Sequence, residues 1–244
     1  MEFPPIMVIN LDTRPDRWEE ITKAFQSLGW PALQRISAIR DTLGWKGCLK
    51  SHLKCLEIAK EKKFPWVLVL EDDCLPTQPS LTQFNELLPT LSKMKDDYDI
   101  FLGGCTFIKD VSIMQYKPPL FSLKGLTTHF CLYSSGSYNK LINKLQISDV
   151  PIDALYNNDP SIRMICTVPY IATQVPGKSD IENNPVDYTN TFSTSEKQLF
   201  EISQGDLEGF LSESNIFNNK VTLANVLMIG TVFSIAYCII NPMS

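Results

Sequence analysis

Hydrophobic positions fall in two patterns along the chain. Residues 6–11, 64–70 and 130–133 are largely apolar runs without alternation, and residues 33–38, 99–102 and 162–168 read as further strands. Such runs suit strands covered on both faces. Between them apolar residues recur at helical spacing. Trp18, Ile21, Phe25 and Leu28 follow Pro15 and the acidic Asp16, and Gly29 stops that helix. A second helix opens near Gly47 and presents Leu49, Leu53, Leu56 and Ala59. A third starts at Ser80 and carries Phe84, Leu87, Leu88 and Leu91, with Pro89 expected to bend it. A helix over 134–145 follows the 130–133 strand. Residues 183–195 read as a polar loop and 196–211 as a last soluble helix. Strands alternating with helices predict an α/β fold, its central sheet mostly parallel and flanked by helices on both faces.

Composition narrows the possible partners. The 244 residues carry a net charge of -5, with 44% hydrophobic and 20% charged. That is a globular balance without the basic face that nucleic acid requires. A small anionic ligand remains open, since a local cluster can oppose the global charge. The start of the chain has no signal-peptide pattern, and its seven cysteines include no CxxC pair, which favours a reducing compartment.

Residues 221–240 differ from the rest. Fifteen of these twenty are apolar, and no charged residue follows Lys220. A helix of that length is about 30 Å long, the thickness of a bilayer core. The expectation is a C-terminal membrane anchor with the remaining chain cytosolic; a buried helix closing the domain is the alternative, which would leave the protein cytoplasmic. The division expected is 1–190 for the catalytic part, 191–220 for linker and last soluble helix, and 221–240 for the tail.

Open parallel sheets bind ligands at the carboxyl ends of their strands. Three loops fall there: 12–17, 71–73 and the pair Gly103-Gly104. Glu71, Asp72 and Asp73 directly follow a buried strand, which is costly unless a positive charge sits among them. A hard divalent cation answers that cost and leaves positions for phosphate oxygens; an exposed acidic turn is the other reading. Arg14 and Arg17 suit phosphate geometry, or pair with neighbouring carboxylates at a solvated helix start. His52 and His129, taken singly, are of the kind usually found hydrogen-bonded within a fold.

The ordered segments VINLDTRPDRWEEI, GCLKSHLKCLEIA, WVLVLEDDC, THFCLYSSGSYNKLI, PIDALYN and QVPGKSDIE resemble the signature series of glycosyltransferase family 25. That family includes bacterial lipopolysaccharide glycosyltransferases and collagen β-galactosyltransferases. The resemblance spans about residues 6–188 and implies a GT-A-like fold, a UDP-sugar donor (most often UDP-galactose), Mn²⁺ or Mg²⁺, and inversion at the anomeric carbon. On the matching positions it implies that Glu71, Asp72 and Asp73 hold metal and diphosphate. Asp12, Arg14 and Arg17 would lie near the nucleotide, and Ser51 and His52 would line the cleft. An inverting enzyme needs a carboxylate base. Asp153 is the first candidate and Asp180 the second, although Asp153 equally suits a helix cap after Pro151. His129 is a further candidate for the metal shell or the acceptor side. The acceptor expected is a glycan, a glycolipid or a hydroxylated protein side chain. Two alternatives are an inactive, membrane-tethered module that binds a sugar nucleotide or glycan, and a metal-dependent enzyme acting on phosphate esters.

Overall fold

Strand β3 (Trp66–Glu71) lies near the middle of an eight-stranded sheet. Its first five residues are buried. The computed structural model describes residues 2–204 except 115, 117 and 179–184. Residues 1–200 form one compact unit and 201–244 a second, of which 201–204 are described. The tail helix expected over 221–240, and any claim about where it sits, lie outside the described residues. Among the described residues no helix is long and apolar enough to cross a membrane.

In chain order the elements are β1 (Ile6–Asn10), α1 (Pro15–Ser27), β2 (Leu33–Ser37), α2 (Gly44–Glu61), β3, β4 (Cys74–Pro76), α3 (Ser80–Lys93) and β5 (Ile100–Leu102). Then come β6 (Thr106–Met114), β7 (Leu120–Leu126), β8 (Phe130–Ser134), α4 (Tyr138–Ile147), α5 (Ile152–Asn158), β9 (Met164–Thr167) and β10 (Ala172–Gln174). A two-residue ladder joins Gly177–Lys178 to Pro185–Val186, and α6 spans Thr189–Ser203. The sheet order is β2-β1-β3-β8-β5-β9-β7-β6.

This sheet is mixed: six of its eight strands share one direction, in keeping with the expectation of a mostly parallel sheet, and β8 and β7 run against them. β1 runs parallel to β2 and β3, and β5 to β9, whereas β8 is antiparallel to both β3 and β5. β7 is antiparallel to β6 and β9. All five residues of β8 are buried, so its sequence resembles that of any central strand and carries no sign of direction. The β6–β7 hairpin was missed for a different reason: most β6 side chains are half-buried or exposed, and the hydrophobic pattern is correspondingly weak. α6 begins at Thr189, inside the stretch read as a loop.

Alternation sorts the strand side chains onto two faces. Ile6, Val8, Trp66, Leu68, Leu70, Phe101, Phe130 and Leu132 share one core cluster with Ile21 and Phe25 of α1 and Phe84, Leu87 and Leu91 of α3. Trp30 anchors it, stacked on Phe84 with ring centroids 5.4 Å apart, and its indole N–H donates to the buried Ser80 hydroxyl. On the other face α2 packs against β1, β3, α4 and α5. Glu71 continues the row of Val67 and Val69 and therefore faces α2, at the carboxyl end of the parallel β1–β3 pair.

Candidate active site

A cleft of about 460 Å³ opens at that end, floored by Glu71, Asp72 and Asp73 and walled by Arg17, residues 38–42 and the start of α2. Local packing shapes the α2 wall. A Cβ on Gly47 would lie 2.5 Å from the Ile39 carbonyl oxygen, so only glycine permits the helix to sit this close. Ser51 is buried; its hydroxyl accepts from the Ile39 N–H and donates to the Gly47 carbonyl. Ser51 thus fixes the loop against the helix. No side chain caps the α2 N-terminus at Leu43, and its first residues face the cleft.

The three carboxylates of the triplet have three separate sets of neighbours. Glu71 Oε1 accepts from the Thr128 hydroxyl at 2.6 Å and lies 3.2 Å from His52 Nε2, with the Cys48 thiol at 4.0 Å. Burial alone would raise its pKa, but His52 and Thr128 outweigh that and hold it below the ordinary carboxylate range. Asp72 bridges two elements: Oδ1 takes Arg17 Nη1 at 2.9 Å and Oδ2 takes Asn10 Nδ2 at 2.7 Å. Desolvation still raises its pKa. Asp73 is different. Its partner is the Gln174 amide at 3.5 Å, and no lysine or arginine of the described residues forms an ion pair with it. Burial, then the charges of Glu71 and Asp72, push its pKa up to about 7.

Other residues singled out in the sequence separate into those at the cleft and those beyond it. Arg14 pairs with Asp16 at 2.7 Å, and Asp12 is exposed and accepts from the Ser37 hydroxyl. His52 is fully buried; Nδ1 lies 3.1 Å from the Tyr133 hydroxyl. His129 is also buried, with Nε2 3.2 Å from the Ala172 carbonyl and Nδ1 unpaired. Burial pushes its pKa down to about 4, so it is neutral. Asp153 lies in the first turn of α5, near enough that its charge adds to the burial and the Glu71 charge that push the Cys48 thiol pKa up. Asp180 lies outside the described residues. Gly103 and Gly104 are buried packing positions rather than a ligand loop: a Cβ would meet the Phe130 ring at 2.4 Å and the Ala172 carbonyl at 2.3 Å.

Four contributors escaped the sequence reading. Asn10 is buried and joins three elements, donating to Asp72 and to the Arg14 carbonyl while accepting from Arg35 Nε. Thr128 and Gln174 hold Glu71 and Asp73, and Cys48 lines the cleft. Only Cys48 carried a visible sign, lying four residues before His52 on one helix face.

Comparison with known proteins adds little. No family model matches the chain, and no curated protein matches it. Among solved structures it is similar to a glycosyltransferase involved in the glycosylation of the major capsid of PBCV-1, with 13% identity and a TM-score of 0.38. That alignment covers 64% of this chain and 72% of the other. A likeness this distant assigns neither activity nor substrate, and the family 25 resemblance stays one of motifs.

Proposed function

We propose that the cleft binds a nucleoside-diphosphate sugar and that the protein is a metal-dependent, inverting glycosyltransferase of the GT-A type, with UDP-galactose the first donor to try. The observation that carries this reading is Asp73, a carboxylate low in the cleft with a raised pKa and no cation of its own among the described residues. The motif resemblance supplies the substrate class. Asp73 fits a hard divalent ion such as Mn²⁺ or Mg²⁺, with Glu71 and Asp72 beside it contributing negative field. When bound, the ion neutralises the charge developing on the departing diphosphate.

The chain's own groups supply the rest. The uncapped α2 N-terminus turns its positive dipole end toward the cleft and favours a diphosphate there. Arg40, also at the wall, adds a guanidinium. Asn10 and Arg17 hold Asp72 in one orientation, so the floor is arranged before substrate arrives. On the α5 side, Asp153 takes the proton of the acceptor hydroxyl as its oxygen bonds to the anomeric carbon and the bond to the diphosphate oxygen breaks. The acceptor is a hydroxyl of a glycan, a glycolipid or a protein side chain.

The test is a panel of UDP-sugars incubated with the full chain, with and without Mn²⁺, reading free UDP. Metal-dependent UDP release, fastest with UDP-galactose, is expected. Absence of release from every UDP-sugar with metal present would overturn the reading.

A further inference from the structure

One group in the described residues brings three metal-ligating side chains together, and the transferase reading does not use it as such. Cys48 and His52 lie four residues apart on α2, hence on one face, and Glu71 meets them from the end of β3. Their ligand atoms all lie within 4.8 Å of one another. We propose that Cys48, His52 and Glu71 form a binding site for a thiophilic divalent cation, Zn²⁺ by chemistry, with its fourth position open to the cleft.

Distances support that occupant. Zinc bonds of about 2.3 Å to sulfur and about 2.0 Å to nitrogen place tetrahedral ligands roughly 3.3–3.8 Å apart. Glu71 Oε1 is 3.2 Å from His52 Nε2 and 4.0 Å from Cys48 Sγ, so small side-chain shifts complete the geometry. A thiolate and an imidazole favour Zn²⁺ over the harder Mn²⁺ and Mg²⁺, which separates this site from the all-oxygen one at Asp73. Cys48 and Glu71 both line the cleft, which gives an ion its entry path and a place for water or substrate oxygen.

The surroundings are those of a metal-binding histidine. Its other ring nitrogen, Nδ1, lies 3.1 Å from the Tyr133 hydroxyl, and Tyr133 Oη is 3.4 Å from Tyr156 Oη. Without metal, ionised Glu71 only accepts, so Nε2 carries a proton, and in the neutral imidazole Nδ1 then accepts from Tyr133. Binding frees Nε2: the imidazole proton moves to Nδ1 and donates to Tyr133, whose hydroxyl turns to Tyr156. The Cys48 thiol proton leaves to buffer. A hydroxyl able to take both roles is already in place, and such a partner orients the ligating ring.

The site can be tested with metal alone, so failure here leaves the transferase reading standing, and the reverse also holds. Titrating the full chain with Co²⁺ should give tetrahedral d–d bands and a thiolate-to-cobalt charge-transfer band, both displaced by Zn²⁺. Cys48→Ser should remove the charge-transfer band and weaken binding by roughly 100-fold, and Tyr133→Phe should weaken it by about tenfold. Asp73→Asn should leave the band intact. If Cys48→Ser does not fold, alkylation of Cys48 in the unaltered chain decides, since Zn²⁺ should block it. No charge-transfer band, a band unchanged in Cys48→Ser, or alkylation of Cys48 at the same rate with Zn²⁺ would each overturn the proposal.

Discussion

Asp99 and Asp73 sit at opposite ends of the sheet's strands, one before β5 and the other after β3, and they solve the same problem in opposite ways. Asp99 is 2% exposed and fully answered by its own chain. It takes Lys140 Nζ at 2.5 Å, the Arg163 backbone N–H at 2.7 Å and Arg163 Nη2 at 3.3 Å. Burial would raise its pKa, but those donors outweigh it and hold the carboxyl below the ordinary range. Asp73 is pushed up to about 7, first by burial and then by the charges of Glu71 and Asp72, which Arg17 and Gln174 offset only in part. A carboxylate compensated from within fastens the fold, whereas one left uncompensated in a cleft is arranged for something from outside.

The sharpest way to break this contrast is to neutralise each residue. Asp73→Asn should abolish Mn²⁺-dependent UDP release, a loss on the order of 10²–10³ in rate for removal of one electrostatic element, while the protein stays folded by circular dichroism. Asp99→Asn should leave release measurable but lower unfolding free energy by about 2 kcal/mol, the scale of one charge-assisted hydrogen bond; urea melts give that figure.

Next comes pH. The folded pKa of Asp73 lies above the unfolded value of 3.8, so the metal-free fold holds the proton more tightly. Its contribution is favourable below about pH 4 and is lost as pH rises through about 7. Metal-free protein should therefore lose a few kcal/mol between pH 5 and pH 8. Asp73→Asn should remove that slope, and Mn²⁺ should offset it. Asp99 has the reverse sign: its stability is present above the unfolded pKa and disappears as pH falls through the lower folded one. Urea melts across pH, with and without Mn²⁺, separate the two.

A smaller effect is expected at Asn10. Asn10→Ala strips Asp72 of one donor and Arg35 Nε of its acceptor, while Arg35 keeps the Leu11 carbonyl and Asp12, costing about 1–2 kcal/mol and raising the donor KM more than it lowers kcat. The smallest belongs to Asp12, exposed and held by Ser37. Asp12→Ala should move thermal stability by no more than about 0.5 kcal/mol; a larger shift would mean that the loop after β1 contributes more than its contacts indicate.

The same two aspartates show what the sequence could disclose. The run ending in Glu71 marks both a central strand and its acidic terminus, and strand alternation then places Glu71 toward α2. The helical periods of Phe25 and of Phe84 locate the helices on the other face. Strand direction was not legible, because Phe130–Ser134 is apolar throughout and pairs equally well either way. Nor were the partners that give Asp72 and Asp73 their different characters. Asn10 lies 62 residues from Asp72, and Gln174 lies 101 from Asp73. Such pairings follow from topology rather than from any local pattern. Pro89, expected to bend a helix, sits within the assigned span of α3.

The reversed strand β8 has a consequence for how this fold can diversify. Because it runs against its neighbours, it delivers its beginning to the cleft end of the sheet, so Thr128 and His129 arrive there straight from the β6–β7 hairpin. Lengthening or shortening that outlying ribbon would tug on the Glu71 anchor without altering any residue of the pocket floor, giving selection a remote handle on the chemistry.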